Sequence, residues 1–204
     1  MIMTRVIRRA AILAAILPAC VLPAGSAQAA PATDNVAVAI TEQDESRVFD
    51  FAWDISRQRG GDLVDHLNSA TARARCLNCG ATAIAFQIVL VSGSPRTVVP
   101  RNTAEAVNVE CTGCQTVAEA RQFVRVLPDR VRFTGAGRAV LSDVRRTLAE
   151  LQNQTLTADQ VHAVVEAQEA RVLDVLRDEL VVAAHPGRSA EAEEQKLLQD
   201  TDVG

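Results

Sequence analysis

The sequence of 204 residues contains no tyrosine, one tryptophan and five phenylalanines, so aromatic residues make up only 3% of it. A groove that holds sugars or peptides by stacking needs several aromatic rings, which this composition does not supply. Lysine is almost missing as well, since Lys196 is the one lysine beside twenty arginines. We attribute this ratio to the codon usage of a high-G+C genome rather than to a binding role.

The sequence also lacks the short motifs of several enzyme classes. It has no Gly-x-Ser-x-Gly, no phosphate-binding glycine loop, no dinucleotide fingerprint and no His-Glu-x-x-His. His162 and Glu166 are spaced as a pair on one helix face, which we interpret as a surface pair. These absences favour a protein that is not an enzyme, and we expect no catalytic residue, no metal ligand and no cofactor.

Residues 1–29 have the three parts of a secretory signal: arginines at positions 5, 8 and 9, an apolar stretch over 10–21, and Ala-Gln-Ala at 27–29. We therefore predict cleavage before Ala30 and a location in the medium or the cell envelope. The apolar stretch is shorter than the roughly 20 residues that a transmembrane helix needs, so no membrane span should remain after signal removal.

A lipoprotein signal that would anchor the chain through Cys20 is the alternative for the same segment.

Removal of the signal leaves 18 basic and 25 acidic residues, a formal charge of −7. Nucleic acids and anionic membrane surfaces bind basic faces, so we expect neither as a partner. The partner is unknown from the sequence, and an envelope protein or a peptide is the class that we consider.

A unit of about 34 residues occurs twice in full and once in degenerate form. Each full copy begins with Asn-x-Ala-x-Ala, at 68–72 and 102–106, and the degenerate copy has this pattern at 35–39 without cysteines. Downstream of each cysteine pair, the matching positions are identical and two residues apart: Ala83/Ala118, Ala85/Ala120, Gln87/Gln122, Val89/Val124 and Val91/Val126. A period of two indicates one face of a β-strand.

The opposite faces of these two strands differ between the copies. Ile84, Phe86 and Ile88 predict a central strand that is covered on both sides, whereas Glu119 and Arg121 predict an exposed face or an edge strand. A helix is the alternative for residues 115–126, because alanine, glutamate and arginine are good helix formers.

Each Cys-x-x-Cys is predicted to lie at the turn of a β-hairpin. A third hairpin joins 35–41 to 48–55, and a β-bulge takes up the extra residue of the second copy. Phe49, Phe51 and Trp53 are core candidates.

After Phe133 the apolar residues take helical spacing, at Leu141, Val144, Leu148 and Leu151. Thr157 and Gln160 have the spacing of a capping box and open a second helix. The fold class expected is therefore α+β: an antiparallel sheet of about six strands built from hairpin repeats, followed by a C-terminal antiparallel helix pair. The corresponding divisions are a signal peptide (1–29), a repeat-built β domain (30–133), a helical hairpin (134–183) and a disordered acidic tail (184–204).

Loss of Cys20 with the signal leaves four cysteines: Cys76, Cys79, Cys111 and Cys114. Outside the cytoplasm we assign them to structural disulfides, with the connectivity open. Pairing within a motif would close a very short loop, and pairing between units would close about 35 residues. The alternatives for the same four cysteines are a zinc-ribbon-like site and an extracytoplasmic thiol–disulfide oxidoreductase.

The segment from Cys76 to Gly93, with Cys-x-x-Cys followed by Ala-Ile-Ala-Phe-Gln-Ile-Val-Leu-Val, resembles one in uncharacterised exported proteins of high-G+C Gram-positive bacteria. Some members of that family form the extracytoplasmic end of membrane proteins described as peptide zinc metalloproteases. The segments 102–126 and 133–138 are similar to the next two of the family, and the likeness covers 34–183. It departs at Ala81, where the family tends to have threonine. The resemblance implies location and architecture, and no catalytic residue transfers.

We therefore expect an exported, non-enzymatic binding or structural module of the cell envelope or medium, stabilised by disulfides.

Overall fold

The computed structural model describes residues 34–183, which include eight strands, two helices and one 3₁₀ turn. The predicted signal peptide and the predicted acidic tail lie outside the described residues. In chain order the elements are β1 (Asn35–Thr41), β2 (Arg47–Arg59), β3 (Leu63–Ala74), β4 (Gly80–Ser92), β5 (Thr97–Asn108), β6 (Gln115–Leu127), β7 (Val131–Phe133), α1 (Gly135–Ala149), the 3₁₀ turn (Glu150–Asn153), α2 (Ala158–Asp178) and β8 (Leu180–Val182).

The six long strands form two parallel three-stranded sheets, so the predicted antiparallel sheet of hairpins is wrong. Sheet A has the strand order β1-β3-β5 and sheet B the order β2-β4-β6. Successive strands along the chain lie in opposite sheets, and each strand pairs with the strand one repeat later. Each unit is therefore one coil with a strand in each sheet, and three coils stack as in a solenoid.

The register explains why the hairpin prediction failed. Asn35 lies opposite Asn68, which lies opposite Asn102, and Gln87 lies opposite Gln122. A hairpin would pair positions within one unit, whereas parallel stacking places the same position of successive units side by side. Identical residues at a nearly constant period were thus the signal for stacked coils.

The extra residue of the second full unit lies in a turn, so the predicted β-bulge is also wrong. Ala74 pairs with Asn108, 34 residues on, whereas Gly80 pairs with Gln115, 35 residues on. The change of offset therefore falls between the strands. Glu110, in that turn, has a φ of 47°, a left-handed conformation that is uncommon for a residue with a side chain.

Small side chains fill much of the space between the two sheets. One buried cluster there is built of alanines: Ala37, Ala39, Ala70, Ala72, Ala81, Ala83, Ala85 and Ala120. An asparagine ladder runs through the same layer, because Asn35 donates to Asn68 Oδ1 and Asn68 donates to Asn102 Oδ1, each at 2.7 Å. Asn68 also donates to the carbonyl of Ala85 in sheet B, at 3.1 Å. The ladder thus links all three coils and both sheets.

The predicted central position of β4 and the predicted edge position of β6 are confirmed. β4 is buried along nearly its whole length, and β6 is the edge strand of sheet B. The alternative of an exposed face on β6 is wrong, because Glu119 is buried and Arg121 is only partly exposed beside α2. Residues 115–126 are strand rather than helix. Phe49, Phe51 and Trp53 on β2 pack against the main core, and the ring of Trp53 stacks on that of Phe86 with centroids 5.9 Å apart.

The two helices cover the outward face of sheet B. Thr134 accepts a hydrogen bond from the backbone N–H of Gly137 at the start of α1, and Thr157 and Gln160 form the predicted capping box of α2. The helices run antiparallel, since Thr134 contacts Glu179 and Asp143 contacts Arg171. Their buried side chains join those of sheet B in one core: Ile84, Phe86, Ile88, Leu90, Val117, Phe123, Phe133, Leu141, Val144, Leu148, Leu151, Val161, Val165, Val172, Val175 and Leu176.

β7, which precedes α1, and β8, which follows α2, form a short antiparallel pair in which Phe133 lies opposite Leu180. Among residues 34–183, no helix has the length and apolar character that crossing a membrane requires.

Candidate functional site

The two Cys-x-x-Cys motifs lie in stacked turns that lead from sheet A to sheet B. The first follows β3 and the second follows β5, one coil further on. Backbone hydrogen bonds join the turns, from Asn78 N–H to the Thr112 carbonyl (2.8 Å) and from Gln115 N–H to the Cys79 carbonyl (3.0 Å). Asn78 and Gly113 both have positive φ, 50° and 70°, which asparagine and glycine adopt most readily.

The cysteines are paired within each turn, as Cys76–Cys79 and Cys111–Cys114. Their Cα atoms are 6.0 and 5.9 Å apart, a separation that disulfides commonly span. The structure thus supports the predicted disulfides. It brings all four predicted site residues together and selects the short-loop connectivity from the two that the sequence left open.

Stacking of the turns brings the four sulfurs into one cluster. The Sγ of Cys79 lies 3.2 Å from that of Cys114 and 3.9 Å from that of Cys111. All four Sγ atoms lie within 4.8 Å of one another. A zinc ion with four thiolates has zinc–sulfur distances of about 2.3 Å, which places its sulfurs roughly 3.8 Å apart. The four cysteines could therefore hold a metal ion once both disulfides are reduced.

The two disulfides differ in their access to solvent. Cys76 and Cys79 are 6% and 1% exposed, whereas Cys111 and Cys114 are half-buried in the last coil. Apart from one another, the sulfurs make polar contacts in the described chain only with carbonyl oxygens, those of Thr41, Cys76 and Thr112. A carbonyl oxygen does not stabilise a thiolate, so these contacts do not activate a nucleophile.

The corresponding turn of the first coil has no cysteines and is closed by hydrogen bonds. The hydroxyls of Thr41 and Ser46 bond to each other, and the Ser46 hydroxyl donates to the Gln43 carbonyl at 2.6 Å. Asp44 accepts from the backbone N–H of Leu77, at 2.8 Å, and so attaches this turn to the first cysteine turn. All three coils therefore have an ordered turn at this end, with or without sulfur.

A second polar cluster links the edge of sheet B to α2. His162 Nδ1 lies 2.9 Å from Glu119 on β6, and its Nε2 lies 3.1 Å from Glu166. Arg121 contacts Glu119 at 2.9 Å and Glu169 at 2.5 Å. The hydrogen bond with Glu119, together with the charges of both glutamates, raises the pKa of His162. The sequence predicted the His162–Glu166 pair but missed Glu119, because Glu119 comes from a different element.

Arginines that the sequence analysis set aside line a cleft at the opposite end of sheet B. The cleft has a volume of about 610 Å³, and Arg57, Arg59, Arg130 and Arg132 are among its lining residues. No sequence signal marks the cleft, because composition cannot show that the end of β2 and the segment before β7 lie side by side. β4 separates the two sites, since it starts next to Cys79 and ends at Ser92 in the cleft.

Comparison of the chain with protein-family models, with curated proteins and with solved structures gives no match.

Proposed function

We propose that the protein is an exported, non-enzymatic binding module whose cysteines stabilise its turns. The pairing of all four sulfurs within two stacked turns, with Cys76 and Cys79 buried, is the observation that supports this proposal most directly. A dithiol that exchanges with other proteins needs an accessible sulfur and a stabilised thiolate. The first pair, Cys76 and Cys79, is buried and has no group among the described residues that would stabilise a thiolate. The second pair, Cys111 and Cys114, is more exposed but also lacks such a group there.

The location outside the cytoplasm is part of the same proposal. Disulfides persist in oxidising compartments, and the sequence begins with the three parts of a secretory signal. Mass spectrometry of the culture medium and of the envelope fraction should find a chain that starts at Ala30. Recovery of the chain in the cytoplasm alone, with residues 1–29 intact, would contradict export.

An insulin-reduction assay tests the non-enzymatic part. The chain from Ala30 should show no more activity than a variant in which Cys111 and Cys114 are both replaced by alanine. That pair is the matched choice because it is the more exposed of the two. Insulin reduction that is lost in Cys111→Ala/Cys114→Ala but kept in Cys76→Ala/Cys79→Ala would assign the protein to the thiol–disulfide oxidoreductases.

Metal binding is a second candidate function, because the four Sγ atoms lie within 4.8 Å of one another. It requires both disulfides to be reduced, so the metal-bound and disulfide forms exclude each other. Reduced protein should then take up one Co²⁺ per chain, with the intense absorption of thiolate coordination. Loss of that signal in either double-alanine variant would show that both motifs are ligands. Protein isolated from the medium with one zinc and four labelled thiols would contradict the disulfide proposal.

A further inference from the structure

The arginine-lined cleft lies where the C-terminal ends of β2 and β4 meet the segment around β7. It has a volume of about 610 Å³, within the range of pockets that bind small molecules. Four exposed arginines line it: Arg57 and Arg59 from β2, and Arg130 and Arg132 from the other wall. Two separate segments of the chain thus direct two guanidinium groups each to one concave surface.

The four cleft arginines have no carboxylate within 4 Å in the described chain, unlike seven of the twelve other arginines between residues 34 and 183. Elsewhere between residues 34 and 183, seven arginines lie within 4 Å of a carboxylate: Arg75, Arg96, Arg101, Arg121, Arg146, Arg171 and Arg177. None of the four cleft arginines has such a contact among the described residues. Their charges are therefore available to a ligand, although the sequence as a whole has a formal net charge of −4.

The charge of the cleft indicates the kind of anion that fits it. Asp129 is the one acidic residue among its lining residues, so the net charge of the lining is about +3. A phosphate group supplies about −1.5 to −2 charges and several acceptor oxygens, and guanidinium groups bind it with two parallel hydrogen bonds. Two neighbouring phosphates would balance this charge, whereas three separate carboxylates would be needed to do so.

A smaller and more apolar pocket adjoins the cleft across Arg57. It has a volume of about 280 Å³ and is lined by Trp53, Ile55, Phe133 and Leu141 together with Arg57, Arg138, Ser142 and Arg145. The guanidinium carbon of Arg57 lies 5.3 Å from the centre of the Phe133 ring, which orients this side chain between the two cavities. A ligand could therefore place anionic groups in the cleft and an apolar group beside Trp53.

We propose that the cleft binds a ligand with two neighbouring phosphate groups and that the adjoining pocket receives its apolar substituent. This inference deepens the proposed binding function and rests on it. The two can be tested separately, because the cysteine turns and the cleft lie at opposite ends of β4, about 40 Å apart at the usual rise of a strand. Thiol chemistry at the turns would overturn the proposed function and leave the cleft intact.

Titration with inorganic pyrophosphate, followed by the fluorescence of Trp53 and by calorimetry, tests the proposal. Trp53 is the only tryptophan of the sequence, so the signal reports on the pocket that adjoins the cleft. We expect saturable binding of one pyrophosphate to the chain from Ala30 to Gly204, and no saturation by sulfate at equal ionic strength. Geranyl diphosphate should bind more tightly than pyrophosphate because its apolar group enters the pocket.

Three variants complete the experiment. Arg59→Ala/Arg132→Ala should lower the affinity for pyrophosphate about 100-fold, at about tenfold for each charge-assisted contact. Arg59→Lys/Arg132→Lys keeps the charge but not the paired hydrogen bonds and should lose less. Arg73→Ala is the matched control: Arg73 is also exposed and without an ion pair in the described chain but lies on sheet A, and its loss should leave the affinity unchanged.

Several outcomes would overturn the proposal. They are an equal response to sulfate and pyrophosphate, an equal loss of pyrophosphate affinity in Arg73→Ala, and equal affinities for pyrophosphate and geranyl diphosphate.

Ala183 lines the cleft, and the acidic segment 184–204 follows it, so a competing occupant is this segment itself. Binding that is seen only in Glu191→Gln/Glu193→Gln/Glu194→Gln would assign the cleft to that segment and would likewise overturn the proposal. Circular dichroism should confirm that each variant is folded.

Discussion

The outward faces of the two sheets differ, although both sheets are built from strands of the same repeats. On sheet B, Ile84, Phe86 and Ile88 are completely buried beneath the helices. On sheet A, Val36, Val38 and Ile40 stay 45–52% exposed. The residues that are identical between the full units, such as Ala83 and Ala118, face the space between the sheets instead. The repeat thus specifies how the coils stack, and the helices determine which outward face becomes core.

The largest expected effect comes from making the same substitution on both outward faces. Ile88→Ala removes a fully buried side chain from sheet B and should lower the free energy of unfolding by about 2–5 kcal/mol. Ile40→Ala, at a position that is 52% exposed on sheet A, should change it by less than about 0.5 kcal/mol. Urea unfolding measures both. If both variants lost the same free energy of unfolding, sheet A would also be covered in solution, and the outward faces of the two sheets would not differ.

The asparagine ladder lies between the two sheets and is hydrogen-bonded to both, so its loss should destabilise both sheets. Asn68 is fully buried and bonds to Asn35, Asn102 and the Ala85 carbonyl, so Asn68→Ala should cost about 2–3 kcal/mol by leaving buried partners unpaired. Asn102→Ala is the matched control: it lies in the exposed last coil and should cost about 1 kcal/mol or less. Similar losses at both positions would contradict a buried role for the ladder.

The cysteine turns connect the two sheets and should contribute less than the core. Each disulfide closes a loop between residues three apart, and loop-closure entropy gives about 2 kcal/mol or less for such a loop. Cys111→Ala/Cys114→Ala should therefore lower the unfolding free energy by at most that amount. The first coil, whose turn contains no cysteine, shows that this architecture can close without one. Loss of folding in the variant would contradict this explanation.

The smallest effect concerns the contact between sheet B and α2. The pKa of His162 is raised, first by its hydrogen bond with Glu119, so the folded state holds this proton more tightly than the unfolded state. The resulting stabilisation is complete below the ordinary histidine pKa of about 6.5 and is lost as the pH rises through the raised value. His162→Gln should therefore cost more stability near about pH 5.5 than near about pH 9.

Unfolding curves at the two pH values measure this effect, with Glu119→Gln as the matched variant. Glu119→Gln keeps the shape of the buried side chain and removes the charge that His162 faces. In that background, replacement of His162 should show a much weaker pH dependence. An unchanged dependence would mean that Glu166, the exposed partner, accounts for the raised pKa.

Local features of this fold could be predicted from the sequence, whereas the pairing of distant strands could not. The alternation of Ala83 to Val91 indicated a strand, and Thr134 and Thr157 marked the helix starts, because these signals depend on neighbouring residues. Period-two alternation is the same in parallel and antiparallel sheets, so it could not exclude the hairpins. The nearly equal spacing of Asn35, Asn68 and Asn102, 33 and 34 residues, contained that information, as their direct hydrogen bonds show.

For the candidate sites, too, the sequence predicted the local motifs but not which distant residues the fold brings together. Cys-x-x-Cys predicted that four cysteines would matter, but their convergence on one cluster follows from stacking of the turns, which no single motif reveals. The cleft had no sequence signal, since Arg57 and Arg59 are distant along the chain from Arg130 and Arg132. Residues 34–183 contain arginine but no lysine, so the composition gave no contrast between arginines that line a cleft and those that form ion pairs.

The spacing of the paired strands also has a consequence for the rate of folding. Asn35 pairs with Asn68 and Gly80 with Gln115, so neighbouring strands in the sheets join residues 33 to 35 positions apart. For the pairing of the long strands, this separation is roughly 0.2 of the described chain, a value typical of proteins dominated by non-local contacts, which fold in milliseconds to seconds. The hydrogen bonds within each helix join residues only four positions apart, so the helices can form sooner, but they have no sheet face to cover until the coils have stacked. Refolding should therefore be limited by coil stacking, and the apolar face of the helices stays exposed during that time.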